Sequence, residues 1–150
     1  MITMRGNRSS QEYKAAELIK SSLIQLWPDL ESADAENANI IFVTNCPIGG
    51  YRVGDFDIVV LADFGSLRFF KPNKPILDIN QKYIDPRKYV YVKNFVACIE
   101  VKSHSEKNIK FEGEDVKVLY KEGWKSATQQ NKDQVHSLKA YFSHSNGKPN

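Results

Sequence analysis

The spacing of apolar and polar residues changes period several times along this chain, and each change marks an element. From Ser10 to Trp27, the residues Ala16, Ile19, Leu23, Leu26 and Trp27 recur at helical spacing, so a single apolar stripe is expected to pack against a larger surface. Ser9 or Ser10 can cap that helix by accepting from its first free amides, and Pro28-Asp29 follows its end. The polar run Glu31 to Asn39 predicts a loop, Ile40 to Thr44 a first strand, and Asn45 to Gly50 a turn containing Pro47, Gly49 and Gly50. Asp57 to Leu61 reads as a second strand, ended by Ala62-Asp63-Phe64-Gly65. Across about Ser66 to Asn94, Pro72, Pro75 and Pro86 leave only short extended pieces such as Leu67 to Phe70, and the stretch is expected to be an insertion. Phe95 to Lys102 is a strand with apolar residues on both faces until Ile99, the pattern of a central strand in a sheet covered on both sides. Ile109 to Phe111 and Val116 to Tyr120 flank Glu112-Gly113-Glu114-Asp115 as a β-hairpin. Ala127 to Phe142 predicts a final helix with Val135, Leu138, Tyr141 and Phe142 inward, and Ser143 to Asn150 is a polar tail, expected to begin a linker to a further domain. The order predicts an α/β class, with a mixed sheet between helices.

Composition narrows the class without changing it. The chain has 150 residues, the size of one domain, and is 41% hydrophobic and 26% charged. The longest apolar run, as in Ile58 to Ala62, is five residues, against the roughly 20 that a membrane-spanning helix needs. The first residues, Met1 to Arg8, carry charge but no apolar signal region. Two cysteines, Cys46 and Cys98, make neither a disulfide framework nor a zinc cage, so a reducing compartment, the cytoplasm, is expected. The net charge of +3 is unevenly spread: residues 1–50 hold four basic and six acidic side chains, residues 51–100 eight and six, residues 101–150 nine and six. The later two thirds of the chain are therefore the part suited to phosphate.

The candidate chemistry begins where the strand from Phe95 ends. Strand side chains alternate, so Glu100 and Lys102 project to one face while Ile99 and Val101 take the other. A second carboxylate, Asp57, opens the apolar strand Ile58 to Leu61, with Asp55 two residues before it. Two acids at the ends of buried strands can converge, and carboxylates in such places are costly unless a cation balances them. One lysine cannot neutralise several acids, which makes a hard divalent ion the natural remaining partner. On the first helix, Glu12 shares the direction of Ala16, Ile19 and Leu23, whereas Glu17 lies about 120–140° away. Glu12 is therefore the helix acid expected to face the sheet.

These residues, taken together, resemble the PD-(D/E)XK, or restriction-endonuclease-like, nuclease superfamily. The helix glutamate Glu12, Asp57-Ile58-Val59-Val60 and Glu100-Val101-Lys102 come in the superfamily's order. More narrowly the chain is similar to the nuclease-related domain (NERD) group, in which a later tryptophan and a helix glutamine follow; here they are Trp124 and Gln130. The resemblance covers about residues 10–142 and implies a restriction-endonuclease-like mixed β-sheet core flanked by helices. It also implies a Mg²⁺- or Mn²⁺-dependent endonuclease that hydrolyses DNA phosphodiester bonds, with RNA left open, to a 5′-phosphate and a 3′-hydroxyl. Asp57, Glu100 and the Val101 carbonyl would hold the metal, and Glu12 would complete its shell. Lys102 would orient or activate the attacking water, and Gln130 would position Lys102 or the phosphate. Lys107, Lys110 and Lys117, on or beside the hairpin, and Arg52 in the glycine turn are the expected nucleic-acid contacts. Cleavage of both strands suits a homodimer, and related domains are often fused to helicases.

The alternative from another class is a nuclease-fold module with weak or no catalysis that binds nucleic acid or protein. His104 is expected to be an exposed lone histidine, and Cys98 an inert core thiol. Gly49 to Gly54 lacks the lysine and following helix of a phosphate loop.

Overall fold

The computed structural model describes residues 1–32, 38–51, 55–70, 76–77, 82–84 and 90–145. In chain order the elements are strand β1 (Ile2–Arg5), helix α1 (Gln11–Leu26), a 3₁₀ turn at Pro28–Glu31, and strands β2 (Asn39–Pro47), β3 (Asp55–Phe70), β4 (Ile76–Leu77), β5 (Tyr83–Ile84) and β6 (Val90–Ile99). A 3₁₀ turn at Glu106–Asn108, strands β7 (Ile109–Glu112), β8 (Asp115–Tyr120) and β9 (Gly123–Ser126), and helix α2 (Ala127–Ser145) complete them. The class is mixed α/β. A four-stranded sheet has the order β1-β2-β3-β6, with β1 parallel to β2 and the other pairs antiparallel. β7, β8 and β9 form a separate antiparallel sheet, and β4 pairs with β5.

Helix α1 begins where expected, because the Ser10 hydroxyl accepts from the Tyr13 amide at 3.1 Å. Its stripe of Ala16, Ile19 and Leu23, with Trp27 just past its end, lies on the sheet face made by Ile40, Phe42, Ile58, Val60, Ala62 and Phe64. Phe42, Ile58 and Ile40 are fully excluded from water, and burying each such side chain contributes about 1.5–3 kcal/mol. Leu26 departs from the expectation and is exposed: it is the last residue of the helix, at the end of the stripe. A second, smaller cluster joins Leu138 of α2 to Ile48, Phe56 and Val59, with Cys46, Cys98 and Phe142 beside it. Tyr141, expected inward, is also exposed, because it sits about 60° around the helix from Leu138. It packs edge-on against Phe142 and Tyr51 instead.

The other differences concern where strands begin and end. Residues Ile2 to Arg5 form β1, pairing from Ile2↔Ile40 to Arg5↔Val43. The flanks of the expected insertion are not irregular: β3 continues to Phe70, β6 begins at Val90, and Arg68↔Val92 to Phe70↔Val90 extend their ladder beyond a register shift after Asp63. Residues 71–75, 78–81 and 85–89, which include Pro72, Pro75 and Pro86, lie outside the described residues. Gly123 to Ser126, read as part of no strand, adds β9 to the expected hairpin. The helix α2 continues through Ser143 and His144 of the expected tail, and residues 146–150 lie outside the described part. The strand expected to be central, β6, is instead at the edge of the four, with Val96 exposed because among the described residues only β3 pairs with it; at its other end it stops at Ile99, so Glu100 to Lys102 follow it and do not belong to it. Among the described residues, no helix is long and apolar enough to cross a membrane.

Candidate functional site

Antiparallel pairing brings the start of β3 and the end of β6 to one edge of the sheet. Ile58 pairs with Ile99, so Asp57, just before Ile58, and Glu100, just after Ile99, come next in register. Here the ladder gives way to a side chain: the Val101 N–H donates to Asp57 Oδ2 at 2.7 Å. That bond explains why the strand ends early, since the carboxylate takes the amide that a further backbone pair would have used. Among the described residues, no protein donor meets the other oxygen of Asp57.

Glu100 is held on both oxygens. Its Oε1 accepts from the Lys102 ammonium and from Gln130 Nε2, the latter at 2.6 Å, and its Oε2 accepts from Gln134 Nε2 at 2.6 Å. Lys102 also donates to Gln130 Oε1 at 3.1 Å, and its Nζ lies 5.9 Å from the centre of the Tyr120 ring. The expected group of Asp57, Glu100, Lys102 and Gln130 is thus brought together from three elements.

Charge at the site is unbalanced. Burial pushes the Asp57 carboxyl above the usual carboxylate range; the Val101 amide and Lys102 pull it down, and the negative charges of Glu100 and Glu12 push it further up. Burial works against the Lys102 ammonium, but hydrogen bonds to Glu100 and Tyr120 and the Glu100 charge outweigh it, and the net shift is upward. Lys102 is therefore a cation at neutral pH. Glu12 lies in the first turn of α1, where its own backbone amide holds the carboxyl low; slight burial opposes this, and Ser10 and Asn45 add hydrogen bonds. Its charge reaches Asp57, whereas Glu17 is exposed.

Can these groups hold a divalent cation? Among the described residues, no group of three or more Asp, Glu, His or Cys side chains is close enough to do so together. The donor set is narrower: Asp57, Glu100 and a backbone carbonyl, with Glu12 acting at longer range. It still fits a hard cation, because one oxygen of Asp57 meets no donor among the described residues and Glu100 Oε2, which accepts one hydrogen bond, keeps a second lone pair.

The expected nucleic-acid contacts are more dispersed. Lys107 is exposed. Lys110 and Lys117 both pair with Glu112, whose carboxyl their hydrogen bonds pull down to about 2. Lys110 Nζ also lies 4.5 Å from the Trp124 ring centre. Arg52 falls outside the described residues. His104 corrects an expectation: it is half-buried, edge-on to Tyr120 with ring centres 5.1 Å apart. Burial raises the Cys98 thiol, as an inert core thiol requires. Tyr51 bonds His144 Nδ1 at 3.2 Å.

Three residues at the site escaped the sequence reading: Gln134, Asn131 and Tyr120. For Gln134 a signal exists, since it stands four residues before Leu138 on the inward stripe of α2, where an uncharged polar side chain needs a partner. No protein-family model, curated protein or solved structure matches this chain.

Proposed function

We propose that this chain is a metal-dependent nuclease that hydrolyses DNA phosphodiester bonds, an endonuclease of the restriction-endonuclease-like type that its motifs resemble. The observation that carries this reading is the meeting of Asp57 and Glu100 at adjoining strand ends, with Lys102 bound to Glu100 and Gln130 beside them. Asp57 and Glu100, with the Val101 carbonyl, would hold Mg²⁺ or Mn²⁺, and Glu12 would add negative charge from the helix end. When bound, such an ion supplies Lewis acidity at the phosphate and a lower pKa for the attacking water.

The protein groups divide the remaining work. Lys102, kept charged by Glu100 and Tyr120, acts as a donor and offsets negative charge developing on the phosphorus oxygens, so proton removal falls to another group. Gln130 holds Lys102 through its carbonyl and Glu100 through its amide, which fixes the acid and the base relative to one another. The second reading, a binding module of the same shape, draws support from the hydrogen bonds that already engage both oxygens of Glu100.

Supercoiled plasmid separates the two. The expected result is nicking or linearisation with Mg²⁺ or Mn²⁺, none with EDTA, and none from Asp57→Ala, Glu100→Ala or Lys102→Ala at unchanged helical content. Cleavage that persists in EDTA, or in any of these variants, would overturn the assignment. A wild-type protein that binds the plasmid without cutting it would establish the module.

A further inference from the structure

Gln134 is the most deeply buried polar side chain among the described residues, at 1% exposure. All its polar atoms are occupied. Nε2 donates to Glu100 Oε2 at 2.6 Å and to the Asp55 carbonyl at 3.3 Å, while Oε1 accepts from Asn131 Nδ2 at 3.3 Å. Asn131 Nδ2 in turn donates to the Cys98 carbonyl at 3.1 Å. The orientation of the amide follows from its neighbours. An ionised carboxylate and a carbonyl accept only, so both require the NH₂ end of Gln134, and only Oε1 is left to face Asn131.

This places one rigid side chain across the gap between the two strands that carry the acids. Asp55 lies two residues before Asp57 on β3, and Glu100 immediately follows β6. We propose that Gln134 is a positioning residue that sets the separation and orientation of the Asp57 and Glu100 carboxylates, and thereby the site's affinity and selectivity for small divalent cations. The proposal rests on the metal-site reading above. Mg²⁺ demands near-ideal octahedral geometry, whereas larger divalent ions accept more varied arrangements. A loosened Glu100 therefore penalises Mg²⁺ more than Mn²⁺.

The test compares wild type with Gln134→Met, which keeps the side chain's length and removes its amide. Mn²⁺ binding is followed by electron paramagnetic resonance, with Mg²⁺ as competitor, and plasmid cleavage is measured with each ion. Loss of an outer hydrogen bond of this kind typically weakens binding by about 10–100-fold. The expected result is a loss in that range, larger for Mg²⁺, with a raised ratio of Mn²⁺- to Mg²⁺-supported cleavage. Asn131→Ala, which removes the donor that orients Gln134 together with its bond to the Cys98 carbonyl and leaves the Gln134–Glu100 bond in place, is expected to give a smaller change of the same sign and serves if Gln134→Met does not fold. Mn²⁺ and Mg²⁺ affinities within twofold of wild type in the folded variants would overturn the proposal while leaving the nuclease reading intact. Mn²⁺ binding by wild type without cleavage would overturn the nuclease reading, and the affinities of the variants would still decide the role of Gln134. Absence of any binding by wild type would overturn both.

Discussion

Asp57 is in conflict at neutral pH, being half-buried beside two other acids while its Oδ2 accepts from Val101. The sign of its effect on stability follows from the direction of its shift. A carboxyl raised above its unfolded value binds its proton more tightly in the native state, so its contribution is present below the unfolded value, about pH 3.9, and is lost as pH rises through the folded value. Without a metal, ionised Asp57 therefore costs stability at pH 7. Asp57→Asn keeps an acceptor for the Val101 amide and removes the charge. In EDTA at pH 7 this variant is expected to melt at a higher temperature than wild type, with the gain shrinking towards the unfolded value. If Asp57 is a metal ligand as proposed, added Mg²⁺ is expected to raise the melting temperature of wild type by mass action and to leave the variant unmoved. Calorimetric scans across pH check this, and a variant that melts no higher than wild type in EDTA at pH 7 refutes it. Asp57, Glu100 and Lys102 could be picked out in the sequence because acids and a base at the ends of apolar strands violate the pattern around them. Gln134 violates its stripe more quietly, and Asn131 and Tyr120 serve the site only through other side chains, so spacing alone carries no mark of them.

The elements that present these residues rely on close approaches that sequence pattern shows unevenly. Apolar patterning reveals β2, the middle of β3 and the apolar part of β6, because their side chains feed the two hydrophobic clusters, although Val96 on β6 stays exposed. It does not reveal β1, which is four residues long and derives its order from pairing with β2. The outer ends of β3 and β6 show only in part: Leu67 to Phe70 reads as a short extended piece, but Leu67, Phe69 and Tyr91 are exposed, and a ring contact between Phe69 and Tyr91 joins the hydrogen-bond ladder there. The turn after β1 has a sharper requirement. Gly6 has φ +140°, and a Cβ built on it would lie 1.9 Å from the Thr44 hydroxyl oxygen, a buried group on β2. Thr44 cannot retreat easily, since its hydroxyl also points towards the Arg5 carbonyl at 3.4 Å. Gly6→Ala is expected to destabilise the domain by about 1–3 kcal/mol through backbone strain alone, and by more once the clash is added. Urea unfolding measures this directly; a midpoint equal to that of wild type would mean that β1 is not anchored through this turn. Gly49→Ala, where the added methyl meets nothing within 4 Å, is the control expected to change little.

Over the whole molecule, the net charge of +3 is a poor guide to the cations open to a phosphate backbone, because ion pairs on the β7-β8-β9 sheet engage several of its lysines. Glu112 engages Lys110 and Lys117 together, and Glu122 engages Lys125. With its carboxyl pulled down to about 2 by the two lysines, Glu112 stays ionised through any mildly acidic buffer, so lowering the pH does not free them. Removing its charge does. Glu112→Gln leaves Lys110 on the Trp124 ring and releases two ammonium groups on a surface joined to the site, since Lys125 and Lys102 both lie over the Tyr120 ring. Glu112 is exposed, and losing surface pairs of this kind changes stability little. Binding to a phosphate backbone, however, responds to each released cation through the counterions it displaces. The logarithm of affinity falls with the logarithm of salt concentration by about 0.9 per phosphate neutralised on duplex DNA and about 0.7 on single strands. Glu112→Gln is therefore expected to bind a labelled oligonucleotide more tightly in EDTA and to steepen that slope by about one to two such steps. Glu122→Gln, which frees Lys125 alone, should steepen it by about one step at most. Fluorescence anisotropy over a salt series reads both values. If the slope of Glu112→Gln coincides with that of wild type, Lys110 and Lys117 on the β7-β8-β9 sheet do not contact the phosphates.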